Sequence, residues 1–168
     1  QRESTRIAGR IAGLDVIRLV NEPTAAALAF GYGRDLNKLV AVYDFGGGTF
    51  DFTLLEIRGQ VFRVISTAGD SFLGGDDFDE ALANAVANSF WKQTGIELRK
   101  NVVEWQRLLL ASEVTKRQLS QAVNADLRVP QVAHTAKGVL DISATVSRDL
   151  FHALCYDLVR RSFAVCER

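Results

Sequence analysis

Two carboxylates, one hydroxyl and three consecutive glycines fall within Asp44-Phe45-Gly46-Gly47-Gly48-Thr49-Phe50-Asp51. Val40 to Tyr43 before the glycines and Phe50 to Ile57 after them read as neighbouring strands, so the glycines form the turn between them. Glycine runs lose backbone entropy on folding and offer no side chain to pack. They suit a place where backbone must approach a ligand closely or present N–H groups to it. Such amides, with the Thr49 hydroxyl and the carboxylates of Asp44 and Asp51, match the needs of a phosphate chain and a divalent cation. The same letters fit a tight hairpin with solvated aspartates. Three glycines exceed what a two-residue turn needs, and Asp51 lies inside a strand. No Gly-Lys-Ser/Thr follows the glycines, so this is not a Walker loop.

Other residues carry weaker signals. Gly74 and Gly75 stand just ahead of a helix whose apolar stripe is Phe78, Leu82, Val86 and Phe90. Free amides at that helix start are a second possible phosphate contact, with Asp76 and Asp77 as cap and first-turn residues; a plain loop with a good N-cap fits equally. Glu22 begins another helix, where the dipole favours its charge, as a cap or as a metal-facing carboxylate. Glu113, Lys116 and Ser120 share one helix face, with Arg117 beside them; such a face is ordinarily solvated. His134, placed in a loop, and His152 have no further ligand at metal spacing. Cys155 and Cys166 lie 11 residues apart in one helical pattern, about 16 Å along the axis and too far for a disulfide. Both read as core residues in a reducing compartment, assigned here as cytoplasmic.

The elements that position these groups follow from periodicity and punctuation. Residues 1–12 have helical spacing and stop at Gly13; Asp15 to Leu19 is a short strand candidate. Asn21-Glu22-Pro23-Thr24 opens an alanine-rich helix, with Asn21 as the cap. Strands at 39–44, 49–58 and 61–67, joined by short turns, make an antiparallel meander covered by helices. A long helix over about 102–120 is expected to turn Val103, Leu110 and Val114 inward. Strands at 125–132 and 139–146 follow, then a helix capped by Ser147 that buries Leu150, Leu154 and Leu158, with Phe151 and Cys155 as further candidates for its inward face. Pro130 marks an edge.

The chain has 168 residues and a formal net charge of +0. That length allows one domain or two small lobes. The charge balance gives no support to nucleic acid or an anionic membrane as partner, and no apolar run is long enough to span a bilayer. Both ends fall inside helix-compatible runs, so the chain reads as a piece of a longer protein.

With these residues laid out, the sequence resembles the nucleotide-binding domain of the seventy-kilodalton heat-shock chaperones. The resemblance rests on Ala12-Gly13-Leu14, Asn21-Glu22-Pro23-Thr24-Ala25-Ala26-Ala27-Leu28-Ala29, Val42-Tyr43-Asp44-Phe45-Gly46-Gly47-Gly48-Thr49-Phe50-Asp51 and Leu73-Gly74-Gly75-Asp76-Asp77-Phe78-Asp79. Gly95-Ile96-Glu97-Leu98-Arg99 and Glu113…Lys116-Arg117…Leu119-Ser120 follow in the family's order. The turn Arg58-Gly59-Gln60 and Gly69-Asp70-Ser71…Gly75-Asp76-Asp77 resemble the branch specialised for iron–sulfur cluster assembly. The resemblance implies an α/β, actin-like ATPase (ribonuclease H-like) fold. Residues 1–34 would be the end of the first lobe and the crossing helix. A phosphate-binding subdomain would span 35–99 and a smaller helical and hairpin subdomain 100–168, incomplete at its C-terminus.

It also implies roles. Gly46 to Thr49 would receive the β/γ-phosphates of ATP or ADP. Asp44 and Asp51 would hold Mg²⁺, largely through its waters. Thr49 would contact the γ-phosphate, and Glu22 would help place metal and attacking water. Gly74 and Gly75 would lie on the phosphate side. Glu113, Lys116, Arg117 and Ser120 would line the adenosine pocket. The catalytic set would then be Thr49, Glu22 and Asp51, working by positioning and charge neutralisation. Partners implied for the whole protein are a J-domain co-chaperone, a nucleotide-exchange factor and unfolded peptide clients. The family's other phosphate loop, its catalytic lysine and its peptide-binding domain have no match here, so the chain alone is expected to be nearly inactive. Its alanine-rich helix face is expected to be exposed and able to self-associate. Phe45 stands where the family usually has leucine, and residues 134–138 match no family passage. Alternatives are another actin-like ATPase or sugar kinase, and a non-catalytic interaction module.

Overall fold

The computed structural model describes residues 2–136 and 138–168. The chain is mixed α/β and divides into two compact units, residues 1–44 with 51–68 and residues 45–50 with 69–168.

In the first unit, α1 (Arg2–Ile11) buries none of its residues. The candidate strand Asp15 to Leu19 has no regular structure. It follows α1 closely: Leu14 donates to the Gly9 carbonyl at 2.9 Å, the Arg2 guanidinium donates to the Leu19 carbonyl at 3.2 Å, and Val16 lies against Gly9. Apolar residues alone do not make a strand, which needs a ladder partner, and among the described residues the two sheets do not include this segment. Helix α2 (Glu22–Gly31) starts with proline in its first turn; contrary to expectation, the Asn21 side chain makes no capping hydrogen bond. Ala25, Ala26 and Ala29 are exposed, as the sequence leads one to expect. At the helix end Gly31 sits against Phe62 and Ile57, where a Cβ would come within 3.2 Å of the ring.

The sheet has the order β1 (Asn37–Phe45), β2 (Phe50–Arg58), β3 (Val61–Asp70). Connections this short exclude parallel crossovers, so the meander is antiparallel. The middle strand carries the core: Thr53, Leu55 and Ile57 are buried in alternation, and the Thr53 hydroxyl bonds that of Thr67 at 3.4 Å.

The second unit contains α3 (Gly75–Thr94), a 3₁₀ turn at Leu98–Lys100, α4 (Val102–Leu119), the antiparallel hairpin β4 (Asn124–Thr135) with β5 (Gly138–Ser147), and α5 (Arg148–Cys166). Leu82, Ala83, Phe90, Leu98, Leu108, Leu127 and Cys155 belong to its buried cluster. Gly95 ends α3 in the left-handed conformation, φ 72°, which favours glycine. Asn101 caps α4 and Ser147 caps α5.

Several expectations are corrected here. Val103, Leu110 and Val114 are exposed; α4 buries Leu108, Ser112, Thr115 and Leu119 instead. On α5 Leu150 is exposed and Leu154 and Leu158 only half-buried; Phe151 and Cys155 are buried, in line with the sequence, and Ser162 and Val165 join them. His134 is in β4, paired with Val139, not in a loop. The hairpin continues past Pro130 because a bulge between Val129 and Ala133 absorbs the proline. Asp141 accepts the Gln131 amide there at 2.6 Å, and the Arg107 guanidinium reaches the carbonyls of Pro130 and Gln131. Lys137 of the unmatched 134–138 stretch lies outside the described residues.

Candidate functional site

The glycine turn is closed by the Gly46 amide donating to the Thr49 carbonyl at 2.8 Å. The second glycine passage lies directly against it. Gly75 donates its amide to the Gly46 carbonyl at 2.9 Å, and Asp76 donates to the Gly47 carbonyl at 2.8 Å. Gly74, the residue ahead of α3, donates to Asp77 Oδ2 at 2.8 Å. A Cβ on Gly74 would overlap the Gly47 carbonyl and come 2.5 Å from the Gly48 nitrogen, so the close approach needs glycine. The sequence led to free amides at the α3 start; instead those of Gly74, Gly75 and Asp76 go to protein acceptors. Among the described residues, no hydrogen bond uses the Gly47 and Gly48 amides, and both glycines are exposed together with Thr49.

Aromatic packing fixes the turn onto the helices. The Phe45 ring lies 5.4 Å from Phe50 and meets Phe78 of α3 edge-on at 5.4 Å; Phe78 in turn lies 6.4 Å from Phe151 of α5. Phenylalanine at 45 thus reaches a partner on α3 by the edge-to-face geometry that rings favour.

Asp44 is half-buried near the end of β1, Asp51 exposed near the start of β2, and Glu22 exposed as the first residue of α2. Among the described residues, no three His, Cys, Asp or Glu side chains are gathered to hold a metal ion.

On α4, Glu113 and Lys116 are half-buried, whereas Arg117 and Ser120 are exposed. The Lys116 ammonium donates to the Gly75 carbonyl at 2.8 Å and to Asp79 Oδ2 at 2.7 Å. Arg117 lies 4.0 Å from Glu113, and Ser120 is the C-cap of α4. The structure thus brings Gly46, Gly47, Gly74, Gly75 and Lys116 together. An open cleft of about 370 Å³ between α3 and α4 is lined by Glu113 with Asp76, Asp79, Trp105 and Leu109.

Sequence reasoning did not single out Asp79 and Trp105, which line this cleft. Asp79 is buried, and desolvation raises its carboxyl above the ordinary range although Lys116 opposes this. Its Oδ1 is buried without a hydrogen-bond partner. The available signal was spacing: Asp79 lies four residues beyond Gly75, on the same helix face.

Comparison with known proteins follows the geometry. The Hsp70 protein family matches residues 1–168. The mitochondrial heat shock 70-related protein 1 of Leishmania major is 46% identical over 168 residues, all of this chain and 26% of that protein. The chain thus spans about a quarter of that relative's length. The relative is mitochondrial by name, which overturns the assignment of this chain to the cytoplasm. A mixed α/β chain with two interlocked glycine turns, matched by the family from first residue to last, belongs to the Hsp70 family.

Proposed function

We propose that this chain binds ATP or ADP with Mg²⁺ and forms one side of the nucleotide cleft of an ATP-driven chaperone. The observation that carries this reading is the interlock of the two glycine turns with Lys116. Exposed amides at Gly47 and Gly48 lie at one end of that arrangement, and a lysine held by Gly75 and Asp79 lies at the other. The residues fit the ligand's chemistry: unshielded amides and the Thr49 hydroxyl suit phosphate oxygens. Lys116 and Glu113, beside the cleft with Trp105, suit ribose hydroxyls and a flat base. Asp44, Asp51 and Glu22 are the residues proposed to hold Mg²⁺ through its waters, with Thr49, Glu22 and Asp51 as the catalytic set.

In the whole protein, hydrolysis coupled to peptide binding and release would bring in a J-domain co-chaperone, a nucleotide-exchange factor and unfolded clients. Calorimetric titration of the chain with ADP and Mg²⁺, repeated on Asp44→Asn and Lys116→Ala, tests the reading. The expected result is measurable binding weakened by both substitutions. Absence of binding, or binding indifferent to both, overturns it.

A further inference from the structure

We infer that Asp79 is the positioning residue for Lys116, holding its ammonium, together with the Gly75 carbonyl, where the nucleoside end of the ligand meets α4. This rests on the nucleotide reading above. Lys116 and Asp79 come from different helices, α4 and α3, and their side chains are 24% and 9% exposed. The ammonium occupies space that a side chain at position 75 would crowd, since a Cβ there would stand 3.1 Å from Lys116 Nζ. Gly75 also donates its amide to Gly46. One residue therefore ties the phosphate-side turn to the lysine, and Asp79, four residues along the same helix, supplies the second acceptor.

Stability alone is a poor explanation for Asp79. A buried ion pair contributes little net stability, because desolvation offsets the attraction. Here Oδ1 is buried with no hydrogen-bond partner among the described residues, and burial raises the carboxyl's pKa although Lys116 lowers it. A buried polar atom without a partner is uncommon in native proteins, and a positioning role is one account of it. Lysine's four-carbon stem is flexible, and ordering it on binding costs affinity unless it is already held. Asp79 removes that cost in advance.

The test uses the 168-residue chain. ADP–Mg²⁺ affinity is measured for the parent, Asp79→Asn, Lys116→Ala and the double variant, with tripolyphosphate–Mg²⁺ as a ligand lacking the nucleoside. The Lys116 ammonium is followed by nitrogen NMR without ligand. Asp79→Asn is expected to weaken ADP roughly tenfold, the order expected for freeing one long side chain. It should leave tripolyphosphate affinity unchanged, abolish the slowly exchanging ammonium signal, and add no loss to Lys116→Ala. If Asp79→Asn fails to fold, Asp79→Glu, which keeps the charge but shifts it, is expected to weaken ADP while keeping an ammonium signal. Parent-like ADP affinity in the position-79 variant, or losses that add in the double variant, overturns the inference and leaves the nucleotide reading standing. ADP affinity unchanged by Lys116→Ala, or no ADP binding by the parent, overturns the nucleotide reading, and this inference falls with it.

Discussion

Gly74 passes so close to Gly47 that no side chain fits between them: a Cβ on Gly74 would overlap the Gly47 carbonyl. Backbone meets backbone there, and neither side can yield as a flexible side chain would. Gly74→Ala is therefore expected to lower stability by about 3 kcal/mol or more, measured by urea unfolding. Nothing lies within 4 Å of the Cβ position on Gly48. Gly48→Ala should change stability by less than about 0.5 kcal/mol, yet weaken ADP binding if phosphate approaches its amide. Equal effects from the two substitutions would contradict both statements.

Asp79 provides a pH test with a definite sign. Burial raises its folded carboxyl above the unfolded value of about 3.9 despite Lys116. On raising the pH, the unfolded chain loses this proton first. The group's contribution to stability is thus complete below about pH 3.9 and is lost as pH rises through the folded value. Asp79→Asn is expected to melt no lower than the parent at pH 7, whereas the parent gains on the variant toward pH 3.5. Thermal melts across that range give the answer; a variant that is much less stable at neutral pH would contradict it.

Cys155 behaves similarly at the alkaline end. Burial pushes its thiol up to about 11, with Lys116 opposing and Asp79 adding to the shift. An unfolded thiol ionises near 8.5, so stability from this group is full below that pH and is lost toward 11, on the order of 3 kcal/mol in all. Compared with Cys155→Ala, the parent should lose more stability between pH 8.5 and 11. At pH 8 native Cys155 should resist alkylation until the chain is unfolded, since the thiolate is the reactive form.

Arg148 joins the end of α4 to the start of α5. Its Nε donates to the Leu119 carbonyl and a terminal nitrogen to the Ala122 carbonyl, both at 2.9 Å. These carbonyls belong to the last turn of α4 and the loop after it, where helix geometry supplies no partner. Arg148→Ala is expected to cost about 2 kcal/mol by denaturant unfolding. Arg148→Lys should recover only part, because an ammonium cannot reproduce the guanidinium fork.

The glycine turn, its flanking strands and the helices α3 and α4 were legible because local chemistry forces them. Three glycines cannot continue a strand as packed side chains do, and Gly95 and Asn101 punctuate the helices whatever lies around them. The inward face of α4 was not legible. Apolar residues surround that helix, from Val102 and Val103 through Trp105 and Leu108 to Leu110 and Val114, so periodicity alone selects no face. Packing against α3 and β4 selects Leu108, Ser112, Thr115 and Leu119. Ser112 and Thr115 can be buried because their hydroxyls bond the Leu108 and Ala111 carbonyls at 2.9 and 2.8 Å. In the same way, only tertiary structure gave the Gly75 and Asp76 amides to Gly46 and Gly47 and placed Asp79 against Lys116. Those partners are 29 and 37 residues apart in sequence, and a hydrogen bond across such a distance is set by the packing of whole elements, which no local pattern encodes.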